Sequence, residues 1–147
     1  MYNNIMTKVK KLLAFLFIAS ILVGVSYLIV FKVSFLPNGY EIEAKQKDSV
    51  SLISFNLLGN EKEIITQSFS ENDAWKIDYI EYEVNRQKDS LWMLFSFVTI
   101  SIVLFVYKVR NGLKLWKAIL ESHIIFSALL PLPQLINSLN RIFDLIS

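Results

Sequence analysis

Few residues in this 147-residue chain are equipped for chemistry. It has one histidine, His123, and no cysteine. A lone histidine cannot build a His/Cys zinc site. Without a thiol there is no disulfide, thiolate ligand, cysteine nucleophile or lipoprotein acylation site. At the edge of an apolar stretch, His123 reads as structural or interfacial. The acid pairs Glu41/Glu43 and Glu81/Glu83 each fall on one face if their segments are extended. Paired carboxylates offer hard oxygen ligands suited to calcium, but no loop of spaced oxygen ligands accompanies them. A solvated face of a half-buried strand is the simpler reading. No phosphate loop, Gly-x-Ser-x-Gly elbow or His-Glu-x-x-His motif occurs. The chain therefore reads as non-enzymatic, with no metal and no cofactor. An enzyme acting on lipid, resting on His123 and scattered acids, ranks last.

The elements that position these residues are dominated by two uncharged apolar runs. Residues 12–31 lie between Lys11 and Lys32, and residues 90–107 between Asp89 and Lys108. At about 1.5 Å of rise per residue they extend about 30 and 27 Å, enough to cross a hydrocarbon core. The 54% hydrophobic content agrees. The first run is longer than a signal-peptide core, which favours an uncleaved anchor over cleavage near Gly24-Val25-Ser26. Neither run holds Asp, Glu, Lys, Arg or His, so proton relay, voltage sensing and ion coupling lack their usual mark.

Charge sets the expected topology. Between residues 33 and 89 eleven acids face six bases, a net charge of −5. Lys8, Lys10 and Lys11 precede the first run, and Lys108, Arg110, Lys114 and Lys117 follow the second. Basic flanks stay cytoplasmic. The chain is expected in the cell (cytoplasmic) membrane, with residues 1–11 inside and 33–89 outside. Trp92 and Tyr107 suit the two interfaces of the second span. The basic flanks, with Trp116, form a set of interfacial anchors drawn to lipid rather than nucleic acid.

The outer segment reads as a small antiparallel sheet. Tyr40, Ile42 and Ala44 alternate with charged residues. Residues 50–57 are rich in apolar and β-branched types, Gly59-Asn60 marks a hairpin turn, and residues 63–69 return. Ser70-Glu71-Asn72-Asp73 matches a helix capping box, but helical period is not evident after it. Trp75, Ile77 and Tyr79 alternate, then Ile80, Tyr82 and Val84 alternate one step out of phase, as across a bulge. The expected strands are 40–45, 50–57, 63–69 and 75–84. The fold class is membrane α+β: two transmembrane helices flanking this sheet, with a C-terminal amphipathic helical tail.

Phe55-Asn56-Leu57-Leu58-Gly59-Asn60-Glu61-Lys62-Glu63 and Lys76-Ile77-Asp78-Tyr79-Ile80-Glu81-Tyr82 fill the places of a hairpin and a following strand. In this layout the chain resembles a class of uncharacterised bacterial membrane proteins in which two spans flank a small extracytoplasmic β-domain. The Gly-Asp before the last strand and the Asp-Pro-type turn after it are missing here. The resemblance implies the topology and no activity.

In the tail, apolar positions 113, 116, 119, 120 and 124 oppose Lys114, Lys117 and Glu121, an amphipathic and interfacial pattern over residues 108–130. Pro131-Leu132-Pro133 breaks it. Residues 133–147 then carry a second amphipathic stripe, Leu135, Ile136, Leu139, Ile142, Phe143 and Ile146. The uncharged stretch 122–140 is a competing third span, opposed by His123, Gln134, Asn137 and two prolines. In the spans, Ser20-x-x-x-Gly24 and the hydroxyls Ser96 and Thr99 are helix-packing candidates, first within the chain and second between chains.

Together these readings point to a small accessory, immunity or exclusion-type protein. It would act by binding a membrane or extracytoplasmic partner, another membrane protein or itself. The alternative is an oligomeric two-span channel or pore subunit.

Overall fold

The helix expected at residue 90 begins at Trp75. In the computed structural model, which describes residues 2–147 apart from the side chain of Tyr2, α1 is Tyr2–Phe31, β1 Tyr40–Lys45, β2 Ser49–Phe55 and β3 Glu61–Ser68. A short 3-10 turn at Glu71–Asp73 leads into α2, Trp75–Arg110, followed by α3 Leu115–Glu121, α4 Ile124–Leu129 and α5 Leu132–Ile146. Residues 75–84 are therefore not a fourth strand. Ile77, Ile80, Val84, Gln87 and Leu91, all buried, recur at steps of three and four, the seam of an α-helix. Read with a period of two, that seam looks like alternation with a slip. The Lys76-to-Tyr82 segment that resembled a strand is part of this helix.

The sheet has three strands in the order β1-β2-β3, both pairs antiparallel. Tyr40 pairs with Ser54, Leu52 with Ile65, and a bulge interrupts β1 between Ile42 and Ala44. At the β2–β3 turn Gly59 takes φ +77°, a conformation open to glycine. Asn56 organises this turn: its Oδ1 accepts from the N–H groups of Leu58 and Asn60 at 2.9 and 3.0 Å.

Two apolar clusters hold the sheet to the helices. One joins Val50 and Leu52 of β2 to Ile77, Ile80 and Val84 of α2 and to Ile142 of α5. The other joins Val30 and Leu36 to Phe55, Leu91 and Leu135. Full burial of each such side chain contributes about 1.5–3 kcal/mol. The tail thus doubles back along α2. Glu121 meets Lys108 at 2.7 Å, Leu135 joins Leu91, Arg141 meets Glu83 at 3.1 Å, and Ile142 reaches Ile77 and Ile80. The end of the tail therefore packs against the sheet and the head of α2. Of the amphipathic stripe, α2 and the sheet bury Leu135 and Ile142, while Ile136 and Phe143 stay exposed.

Two helical stretches, Asn3–Phe31 and Glu71–Arg110, are long and apolar enough to cross a membrane, with mean hydropathies of 2.6 and 2.1 in their most apolar windows. The broken pair Leu115–Glu121 and Ile124–Ile146, bent by 45°, passes as a third. Only 11% of the apolar window of the first is buried by the protein itself. Its leucines and phenylalanines are left largely exposed by the protein itself.

Candidate functional site

The polar residues of the helical seam lead to the site. Glu83 is fully buried between α2 and α5. Its Oε1 accepts from Arg141 Nη1 at 3.1 Å, with Arg86 Nη1 3.6 Å away. Arg141 Nη1 also donates to the Tyr79 hydroxyl at 2.7 Å. Hydrogen bonding to Glu83, with the neighbouring Tyr79, raises the Arg141 pKa further. Glu83 Oε2 and the Ser138 hydroxyl, one turn before Arg141 on α5, are buried without a partner among the described residues. The cluster ties the tail to the head of α2.

One turn further along α2, Gln87 closes the first edge of the sheet. It is fully buried. Its Oε1 accepts from the Tyr40 N–H, and its Nε2 donates to the Tyr40 carbonyl, both at 2.9 Å. The amide thus acts as a one-residue strand against β1. Gly39 makes room for it, since a Cβ there would lie 3.1 Å from the Gln87 amide. Two ion-pair groups extend the closure. Lys88 meets Glu41 at 2.6 Å, and Lys45 bridges Asp78 and Glu81 at 2.7 and 2.6 Å. Burial works against the charge of Glu41, but hydrogen bonds from Lys88 and Ser34 override it and lower its pKa from 4.5. Hydrogen bonds to Asp78 and Glu81 raise the pKa of Lys45.

The opposite edge is open. The Phe69 N–H donates to the Asp48 carbonyl at 2.7 Å, which sets the phase of the β2–β3 ladder. In an antiparallel ladder the bonded pairs alternate. The main-chain groups of Ile64, Thr66 and Ser68 therefore point away from β2. Residues 61–64 of β3 are exposed, Ile64 at 58%. Beside this edge, between the inner face of the sheet and the end of α5, runs a groove of about 520 Å³. Tyr40, Ser54, Glu63, Ile65, Phe143 and Ile146 are on its walls.

Sequence-expected residues fall elsewhere. His123 is exposed at the α3–α4 break with φ +55°, beside Phe97, Ile100 and Ser101 and far from the sheet. Glu81 and Glu83 do not share a strand face: helical twist turns Glu81 to Lys45 and Glu83 inward to Arg141. Among the described residues no group of three or more acids and histidines is placed to hold a metal. Ser20 is exposed and donates to its own helix at the Leu16 carbonyl, and a Cβ on Gly24 would meet open space. That pair does not join the two long helices. Aromatic residues do: Tyr27 and Phe31 meet Trp92 edge-on at 5.8 and 6.4 Å, and Trp92 Nε1 donates to the Val23 carbonyl at 3.1 Å. Ser96 is buried, and Thr99 donates to the Phe95 carbonyl at 2.7 Å. Lys11 and Tyr107 line one crevice between α1 and α2. Lys108 pairs with Glu121, and Trp116 beside Lys117 is 76% exposed. Lys8, Lys10, Arg110 and Lys114 are also exposed.

Sequence reasoning missed the burial of Glu83, the role of Gln87 and the open β3 edge. The available signal was the seam of three- and four-residue steps, which places Gln87 among buried residues. Compared with family models, with curated proteins and with solved structures, the chain matches none.

Proposed function

We propose that this chain is a multi-pass protein of the cytoplasmic membrane and a non-enzymatic accessory of the immunity or exclusion type, which binds an extracytoplasmic segment of a partner along the open edge of β3. In this reading the sheet, the first half of α2 and the end of α5 lie outside, and α3, α4 and the start of α5 make a third pass broken at His123. Charge supports the orientation. Seven bases and one acid, Glu121, fall on the end away from the sheet, against eight bases and twelve acids on the sheet end.

The observation that carries the partner reading is the contrast between the two edges of one sheet. The β1 edge is closed by Gln87, Lys88 and the Lys45 bridges. The β3 edge is left with unpaired main-chain groups beside a groove of mixed polarity. An open edge of this kind recruits an extended peptide by strand addition, with neighbouring pockets reading its side chains. The pore reading has less support, because the α2 hydroxyls Ser96 and Ser101 are buried within the protomer.

The test is a photo-crosslinking residue at Thr66 in intact cells. A discrete adduct with one membrane or secreted protein is expected. Ile64→Pro removes an outward N–H that the sheet does not use, so it should abolish the adduct while the protein still folds. No adduct, or one unaffected by Ile64→Pro, overturns the proposal.

A further inference from the structure

The two turns of the sheet have opposite chemistry. The β1–β2 turn carries Gln46, Lys47 and Asp48, the polar composition expected of a turn in water. The β2–β3 turn carries Leu57 and Leu58, which are 70% and 73% exposed. A dileucine tip has no reason to face water, and its place in the fold supplies one. A Cβ on Gly59 would lie 2.6 Å from the Phe35 ring, so this turn rests on Phe35. Phe35 reaches Phe95 of α2, ring centres 6.0 Å apart, and shares a crevice with Leu22, Val25 and Ile29 of α1. Those are residues of the two long apolar helices. The turn therefore stands at the level where both helices enter their apolar stretches, while the Lys47 turn is at the far end of the strands. Val33, 72% exposed at the end of α1, adds a third apolar side chain at this end. The Asn38 N–H donates to the Asn56 carbonyl at 3.0 Å and ties the turn to the chain leaving α1.

We infer that Leu57 and Leu58 form a membrane-dipping tip, which inserts into the outer-leaflet interface and fixes the sheet against the lipid surface. The occupant of this apolar patch is the bilayer that receives α1 and α2, because the patch is continuous with their aromatic contact. An apolar element of this size settles at the headgroup–acyl boundary, about 5–10 Å deep. Held there, β2 and β3 stand away from the lipid at a set height, and the open edge of β3 faces along the membrane surface. The inference rests on the membrane reading of the helices and is independent of any partner.

The chain lacks cysteine, so a single introduced thiol can carry an environment-sensitive fluorophore. Leu58→Cys, Phe17→Cys in the exposed face of α1 and Lys47→Cys are labelled separately and reconstituted in phosphatidylcholine/phosphatidylglycerol vesicles. Each is read against lipids with a nitroxide near the headgroup or deep in the acyl chain. The label at 58 is expected to lose half or more of its emission to the shallow nitroxide and less to the deep one. The label at 17 responds to the deep nitroxide and that at 47 to neither. In Leu57→Ser/Leu58→Ser, a label at Asn60→Cys should lose the shallow quenching that the same label shows beside the native leucines. If position 58 behaves like 47 while 17 is quenched, the tip proposal is overturned and the spans stand. If 17 is unquenched as well, the membrane reading fails and takes the tip with it.

Discussion

Replacing Arg141 with methionine isolates the consequence of burying Glu83. The substitution keeps much of the aliphatic stem and removes the cation that hydrogen-bonds the carboxylate, Nη1 at 3.1 Å from Oε1. Arg86 remains at 3.6 Å. Breaking a fully buried ion pair from one side costs about 3–5 kcal/mol, because the surviving charge has left water and gained nothing. Here Arg141 is about half exposed, which weakens the pair. With Arg86 still nearby, the expected loss is about 2–3 kcal/mol. Glu83→Gln leaves a neutral amide inside and an arginine able to reach water, so it should cost about 1 kcal/mol or less. The double variant should recover most of what Arg141→Met loses, since no charge stays buried. Equilibrium unfolding in mixed micelles at pH 7 measures all three. Equal losses from the two single variants would refute the argument that the buried charge sets the cost.

Four further outcomes follow from named contacts. Gln87→Leu strands the Tyr40 N–H and carbonyl at the closed sheet edge and should lower unfolding stability by about 2–3 kcal/mol, with faster hydrogen exchange at the Tyr40 amide. Glu41 has its pKa lowered from 4.5, so its contribution is present above that value and is lost as the pH falls through the lowered pKa. Lys88→Met should cost under about 1 kcal/mol at pH 7, and its difference from the native chain should vanish in acid below the Glu41 pKa. Trp92→Phe keeps an aromatic ring against Tyr27 and Phe31 but loses the bond to the Val23 carbonyl, a loss of about 0.5–1.5 kcal/mol by thermal melting in micelles. Ser147→Cys and Lys47→Cys should react with an impermeant maleimide from the same side of intact cells and Lys114→Cys only after lysis, because Arg141 and Ile142 pack beside Glu83 and the sheet.

Part of the candidate site was legible along the chain. The β2–β3 hairpin follows from apolar and β-branched runs around a glycine turn, and its strands fall at Ser49–Phe55 and Glu61–Ser68. The amphipathic stripe of the tail foretold that it needs a cover. Reading polar residues as solvent-facing led elsewhere. Glu81 and Glu83 look like one acidic strand face. One acid is buried and the other exposed to Lys45.

What the chain determines by itself is what depends on near neighbours. Two uncharged runs make long apolar helices, glycine at 59 permits the positive φ of a turn, and paired prolines interrupt the tail. Tertiary structure alone decided which partners the buried face of 75–89 meets and where the tail goes. The seam of α2 includes Glu83 and Gln87, which become interior only when α5 brings Arg141 and β1 brings the Tyr40 main chain. Those partners are 58 and 47 residues distant in sequence, beyond the reach of any local period. A buried polar group is stable only with its partner in place, so its position cannot be read until the fold has supplied that partner.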